Sequence, residues 1–231
     1  MEDYRGGFMQ YTIARTEQLS APDGIWEREE WQEAETLEVT HFSWEDSGHH
    51  PKTQARLLYN DTTLAVIFCV EDRYIRAVAE KYQDGVCRDS CVEFFVAPLT
   101  ESDVYFNFEV NCGGTTLLHR NPHPEARERG EQRTGVSEAD WRTVALAHSM
   151  PRIVEPEVTE SKTWTVEYHV PFALFHKYFD GVRHDTGTRW RANFYKCGDQ
   201  TSHPHWGSWA PVDTPRPNFH VPASFQTLVF A

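Results

Sequence analysis

The chain lacks any apolar run near the roughly 20 residues that a membrane-spanning helix needs, so no helical membrane anchor is expected. Positive charge is also scarce. Lys and Arg total 22 against 35 Asp and Glu, which leaves a formal charge of −13 over 231 residues. A surface of that sign repels phosphate, so neither nucleic acid nor an anionic membrane is an expected partner. The one Arg-rich stretch, Arg127, Arg129 and Arg133, is interrupted by Glu125, Glu128 and Glu131. The N-terminal MEDYRGGFMQYTIART has no basic-then-apolar export pattern. Taken as given, the chain is expected in the cytoplasm, or outside the cell if a signal was trimmed. Cysteine is sparse and odd in number, at five. Cys69, Cys91, Cys112 and Cys197 fall in predicted strands or at their ends and read as small buried apolar residues. No disulfide framework and no native disulfide is expected.

Aromatic residues are abundant, with eight Trp, nine Tyr and fourteen Phe in a chain that is only 39 % apolar. They favour strands and bury much area per residue. The length suits one domain over residues 1–231. About ten short strands are read along it, with turn signals between them, as in an antiparallel β-sandwich. Leu64 to Val70 is apolar on both faces and is expected to be a central strand, paired across Asn60-Asp61-Thr62 with Ala55 to Tyr59. Residues 119–140 show no periodicity and read as a long surface loop. Trp141 to His148 reads as a strand. A single short helix is expected from Pro171, with that proline at its first position.

Two segments concentrate the chemistry. In Cys87 to Thr116, Val92, Phe94 and Val96 alternate with Cys91, Glu93 and Phe95; Phe106, Phe108 and Val110 alternate with Asn107, Glu109 and Asn111. Successive strand residues point to opposite sides, so the polar residues share one face. A solvated face is the ordinary meaning of such alternation, yet Asn is a poor strand former. The pattern returns in Arg189 to Cys197, where Trp190, Ala192 and Phe194 oppose Arg191, Asn193 and Tyr195. One shared polar surface is expected, with Arg191 as counter-charge to Glu93 or Glu109. The loop after it carries Trp206 and Trp209, of which Trp206 is favoured as a platform for a ligand ring and the other as an anchor. Planar hydrogen-bonding groups beside an aromatic platform suit a neutral polyol.

Several stretches together resemble the carbohydrate-binding module family 9-like proteins. These are Asp89 to Phe95, Tyr105 to Asn111 with Gly114 after it, Arg191 to Tyr195, His203 to Trp209 and Phe219 to Phe225. The resemblance implies an all-β, antiparallel sandwich of the jelly-roll or DOMON type that binds a sugar or glycan end on one sheet, flanked by aromatics, without catalysis. Carried over by position, the ligand-binding candidates are Arg76, Glu93, Asn107, Glu109, Asn111, Arg191, Asn193, Tyr195, Trp206 and Trp209. Modules of this family are often attached to a glycoside hydrolase; no such partner enzyme is recognisable here. Some members bind calcium, but Asp84, Asp89, Asp199 and Asp213 are scattered, so no cofactor is expected. Three other readings stay open. Glu93 and Glu109 could be the acid/base pair of a glycoside-processing enzyme. His203 and His205 with Cys197, or Cys87 with Cys91, could hold zinc, although neither set is complete. A haem-binding DOMON-like domain would need Met150 or His169 inside the sandwich.

Overall fold

The computed structural model describes residues 9–231, and Phe8 of the expected first strand lies outside them. The first five strands are β1 (Gln10–Arg15), β2 (Leu37–Val39), β3 (Lys52–Tyr59), β4 (Thr63–Asp72) and β5 (Ile75–Ala77). Then come β6 (Cys91–Ala97), β7 (Tyr105–Asn111), β8 (Thr116–Asn121), β9 (Thr134–Gly135) and β10 (Ala145–His148). The last five are β11 (Val154–Val158), β12 (Lys162–Pro171), β13 (Arg189–Cys197), β14 (Trp206–Ser208) and β15 (Gln226–Phe230). The path runs β10-β12-β4-β3-β1-β15-β13-β6-β7-β8-β9, with β2 on β3, β14 on β13, and β5 with β11 apart. Strand β1 is where the path turns from one layer to the other. Its Gln10 to Ile13 pair with β15, and its Ala14 and Arg15 pair with β3. Both of those pairings are parallel; the other ladders are antiparallel.

The two layers enclose one apolar core built from the faces that alternation assigns to it. Phe94, Val96, Phe106, Phe108, Val110, Trp190 and Phe194 are all fully buried. Phe94 stacks on Phe194 at 4.8 Å, and rings meet across the layers at Phe68–Phe194 and Phe108–Tyr168. Strand β4 is covered on both sides as its composition demands, because Ala65 and Ile67 pack beneath Trp31 on the outside. No helix among the described residues is long and apolar enough to cross a membrane.

Local signals that the sequence does carry account for the differences. Three short α-helices form rather than one: α1 (Pro124–Glu128), α2 (Glu138–Trp141) and α3 (Phe172–Tyr178). The supposed loop 119–140 contains the end of β8, then α1, β9 and the start of α2. His123 caps α1 ahead of Pro124, and the Ser137 hydroxyl accepts the Asp140 N–H at the start of α2. Trp141 is therefore helical, and the following strand begins at Ala145. Pro171 ends β12 and caps α3 instead of opening it.

One polar cluster crosses the core. Lys196 points inward from β13, and its Nζ lies 3.4 Å from Oδ2 of Asp72 and 2.7 Å from Nε2 of His205. Asp72 also receives the indole N–H of Trp164 and the ring of His49. Burial alone would raise the Asp72 pKa, but the Lys196 charge and the His49 contact outweigh it and hold the carboxyl well below its usual range. Asp72→Asn strands the charge of Lys196, and should cost about 3–5 kcal/mol in chemical denaturation at neutral pH. A depressed carboxylate stabilises above its unfolded pKa and stops doing so in acid. The gap between wild type and variant should therefore close as pH falls below about 4. A loss under about 1 kcal/mol would show that this ion pair carries little of the fold.

Candidate functional site

The outer face of the β13-β6-β7-β8 layer is laid out in rows by the strand register. One row is Cys197, Cys91 and Asn111; the next is Tyr195, Glu93, Glu109 and Leu117; the third is Asn193, Phe95, Asn107 and His119. Glu93 and Glu109 thus stand directly opposite each other on neighbouring strands, an arrangement that like charges ordinarily avoid. Strand β14 pairs Trp206 with Cys197, which sets the indole on the same face at the end of the first row.

A pocket of about 360 Å³ opens over the first two rows. Glu93 and Glu109 are part of its lining, only 2 % and 5 % exposed. Trp206, half-buried, stands on one side, and its indole N–H donates to Asp199 Oδ1 at 2.7 Å. Phe219 and His220 come from the loop before β15, while Arg88 and Arg133 bring positive charge from two other segments. Burial raises the Glu93 pKa well above the ordinary range, and the neighbouring Glu109 charge adds to that. Burial also lifts Glu109, to about 7, against the opposing bond from Asn107 and the charge of Arg133. Asp199 is raised by burial too, opposed by the Trp206 bond. A carboxyl pair that retains a proton near neutrality can donate as well as accept, which matches the dual character of a hydroxyl.

The ten candidate residues divide between this pocket and its supports. Glu93, Glu109 and Trp206 line it. Asn107 stands behind, donating to Glu109 Oε1 at 2.6 Å and accepting from Asn121. Asn111 and Arg76 both bind Asp89, which also accepts the N–H groups of Val78 and Ala79. That knot holds the turn carrying Cys87 and Arg88 into the pocket. Asn193 brackets the backbone of Ala210 with two hydrogen bonds and so pins the loop after β14. Tyr195 is buried under Phe219, with rings parallel at 4.1 Å.

Four expectations are corrected. Arg191 is not the counter-charge of either glutamate: it lies four residues from Tyr195 along β13, about 13 Å away, and pairs with Asp103. The predicted convergence of Arg191 and Asn193 with Glu109 thus extends only to a shared face. Trp209 belongs to the core, edge-on to Phe194 at 5.6 Å, because three residues from Trp206 is an odd step and reverses the side chain's direction. His205 does not join Cys197 as a ligand, since its ring nitrogens contact Lys196 and the His203 carbonyl. His169 lies on the outer face of β12 beside Glu167, not inside the sandwich where a haem ligand would be needed. Sequence reasoning missed Phe95, Asp199 and Arg133 as pocket residues, and placed Phe219 and His220 only within a family motif.

The family model of carbohydrate-binding family 9 matches residues 27–230. A protein of Arthroderma benhamiae described as an extracellular protein is 25 % identical over 193 residues, 80 % of this chain and 81 % of its own. Among solved structures, a Bacteroides uniformis protein provisionally described as carbohydrate-binding is 28 % identical, with a TM-score of 0.85 over 97 % of this chain and 100 % of its own. A family 9 module from Caldicellulosiruptor kristjanssonii, solved with cellotriose, superposes at a TM-score of 0.62 over 96 % of this chain and 93 % of its own. That module is 11 % identical, so it speaks for the fold alone.

The facing glutamates make a pH prediction. A carboxyl whose folded pKa is raised stabilises fully below its unfolded pKa of about 4.3, and that contribution is lost as pH rises through the folded value. In chelator-containing buffer, wild type should therefore lose about 2–3 kcal/mol relative to Glu109→Gln between pH 4 and 7.5. Parallel stability curves for the two proteins would show that burial does not hold a proton on this pair.

Proposed function

The chain belongs to carbohydrate-binding family 9, and we propose that it binds a sugar or glycan end, without catalysis, in the pocket over Glu93 and Glu109. The observation that carries this reading is the pairing of an aromatic wall with a buried carboxyl pair in one recess. Trp206 offers a flat apolar surface for the C–H face of a pyranose ring, and the two glutamates meet its hydroxyls from the sheet. Asp199 holds the indole in place, and Asn107 holds Glu109. The glutamates stand side by side on adjacent strands of one sheet face.

Isothermal titration and tryptophan fluorescence with a panel of monosaccharides and oligosaccharides test the proposal. Glucose and cello-oligosaccharides are the first members, because related modules have been solved with glucose and cellotriose. Trp206→Ala should keep the unfolding midpoint near wild type and weaken binding by about 1–3 kcal/mol, the order of an aromatic stacking contact. Unchanged affinity in that variant would move the ligand elsewhere. Release of reducing sugar by the wild type, abolished in Glu93→Gln, would replace the binding reading with an enzyme.

A further inference from the structure

Folding brings together a donor set that neither sequence spacing nor the family assignment supplies. Cys91 and Glu93 are two residues apart on β6, and Cys197 is the register partner of Cys91 on β13, so all three side chains leave the same sheet face. Their ligand atoms, two thiol sulfurs and a carboxylate oxygen, all lie within 4.8 Å of one another. Sγ of Cys197 is 3.1 Å from Oε1 of Glu93. Around a tetrahedral ion with bonds of about 2.0–2.3 Å, neighbouring ligand atoms stand about 3.3–3.8 Å apart. The Cys197–Glu93 pair is slightly closer than that and the other two pairs lie within 4.8 Å, so small side-chain adjustments bring all three donors to one ion. All three residues are buried and sit on rigid strands rather than loops.

The charge of the surroundings points the same way. Among the described residues, neither Glu93 nor Glu109 has a Lys or Arg hydrogen-bonded to it; their side-chain bonds are to the Cys197 thiol and the Asn107 amide. Lys196, next to Cys197 on β13, leaves that strand on the opposite face and pairs with Asp72. A divalent ion would add to the partial balance that the Arg133 charge gives Glu109.

We propose that Cys91, Glu93 and Cys197 form a three-ligand site for a zinc-class divalent cation, its fourth position turned toward the pocket. Two thiolates and one carboxylate select zinc over calcium or magnesium, which favour all-oxygen shells. Glu93 and Cys197 line the pocket and Cys91 lies behind them, so water or a ligand hydroxyl has access from the pocket side only. The site differs from both zinc readings of the sequence, since neither histidine joins it and Cys87 is not one of its three ligands. It does not depend on the sugar-binding proposal, and its test contains no sugar.

The full chain, stripped with chelator and kept reduced with a phosphine, is titrated with zinc against a competing indicator dye, and separately with cobalt(II). The expected results are one zinc per chain and, with cobalt, a thiolate charge-transfer band together with the visible bands of tetrahedral coordination. Cys91→Ser and Cys197→Ser should each weaken zinc by more than the 10- to 100-fold that loss of a mere supporting contact typically costs. Cys69→Ser removes a half-exposed thiol on another strand and should change nothing. If a serine variant fails to fold, the wild-type cobalt spectrum still decides. Octahedral bands without thiolate charge transfer, no stoichiometric zinc binding, or equal affinity in the Cys69 and Cys197 variants would each overturn the site.

Discussion

The register of β13 on β6 is the constraint from which the rest of this structure follows. Phe194 faces Phe94, Tyr195 faces Glu93 and Cys197 faces Cys91. A slip of one residue would carry Phe194 out of the core and Tyr195 into it, since alternation leaves no intermediate. Three different interactions hold the register. The Phe94–Phe194 stack holds it from inside, Asn193 holds it at the edge through Ala210, and Lys196 holds it across the core through Asp72. One strand therefore fixes the core packing, the start of the loop that carries Trp206, and the alignment of the acidic row.

The two faces of that strand end in polar clusters of opposite design. Inside, Lys196 and Asp72 neutralise one another, and histidine and indole groups satisfy what remains. Such a cluster is costly to break and has no group to spare for a ligand. Outside, Glu93 and Glu109 oppose like with like at nearly complete burial, and among the described residues their side-chain hydrogen bonds come only from neutral donors. A scaffold gains nothing from that arrangement. Imbalance of this kind, at the wall of a recess, is what a site awaiting a partner looks like.

How much of this could be read beforehand depended on whether alternation alone decided it. Alternation assigns a face, and every core residue named from it is buried. It does not say how far along the face two residues stand. Matching Arg191 to the glutamates therefore fails, because it lies four positions from their row. The same rule, applied to the odd step from Trp206 to Trp209, would have separated the two indoles. The helices within 119–140 were also legible, in Pro124 and in the Ser137 cap, but lack of apolar periodicity over the whole stretch hid them. Arg133, Asp199 and Phe219 were out of reach, because loops from three distant parts of the chain deliver them and no local pattern records where a loop ends in space.

Most of the polar residues on the outer face turn out to serve one another. Asn111 and Arg76 are spent on Asp89, Asn193 on Ala210, Arg191 on Asp103, and Asn107 on Glu109. What the strands leave free for a ligand is little more than two carboxyls. Those can meet any pair of hydroxyls and by themselves discriminate poorly between sugars. Discrimination in the proposed binding mode must then come from the groups that loops bring to the rim: Arg88, Arg133, Phe219 and His220. Loops can change length and composition without disturbing the register beneath them. In the proposed mode, then, the sheet supplies the groups that meet hydroxyls and the loops supply the shape.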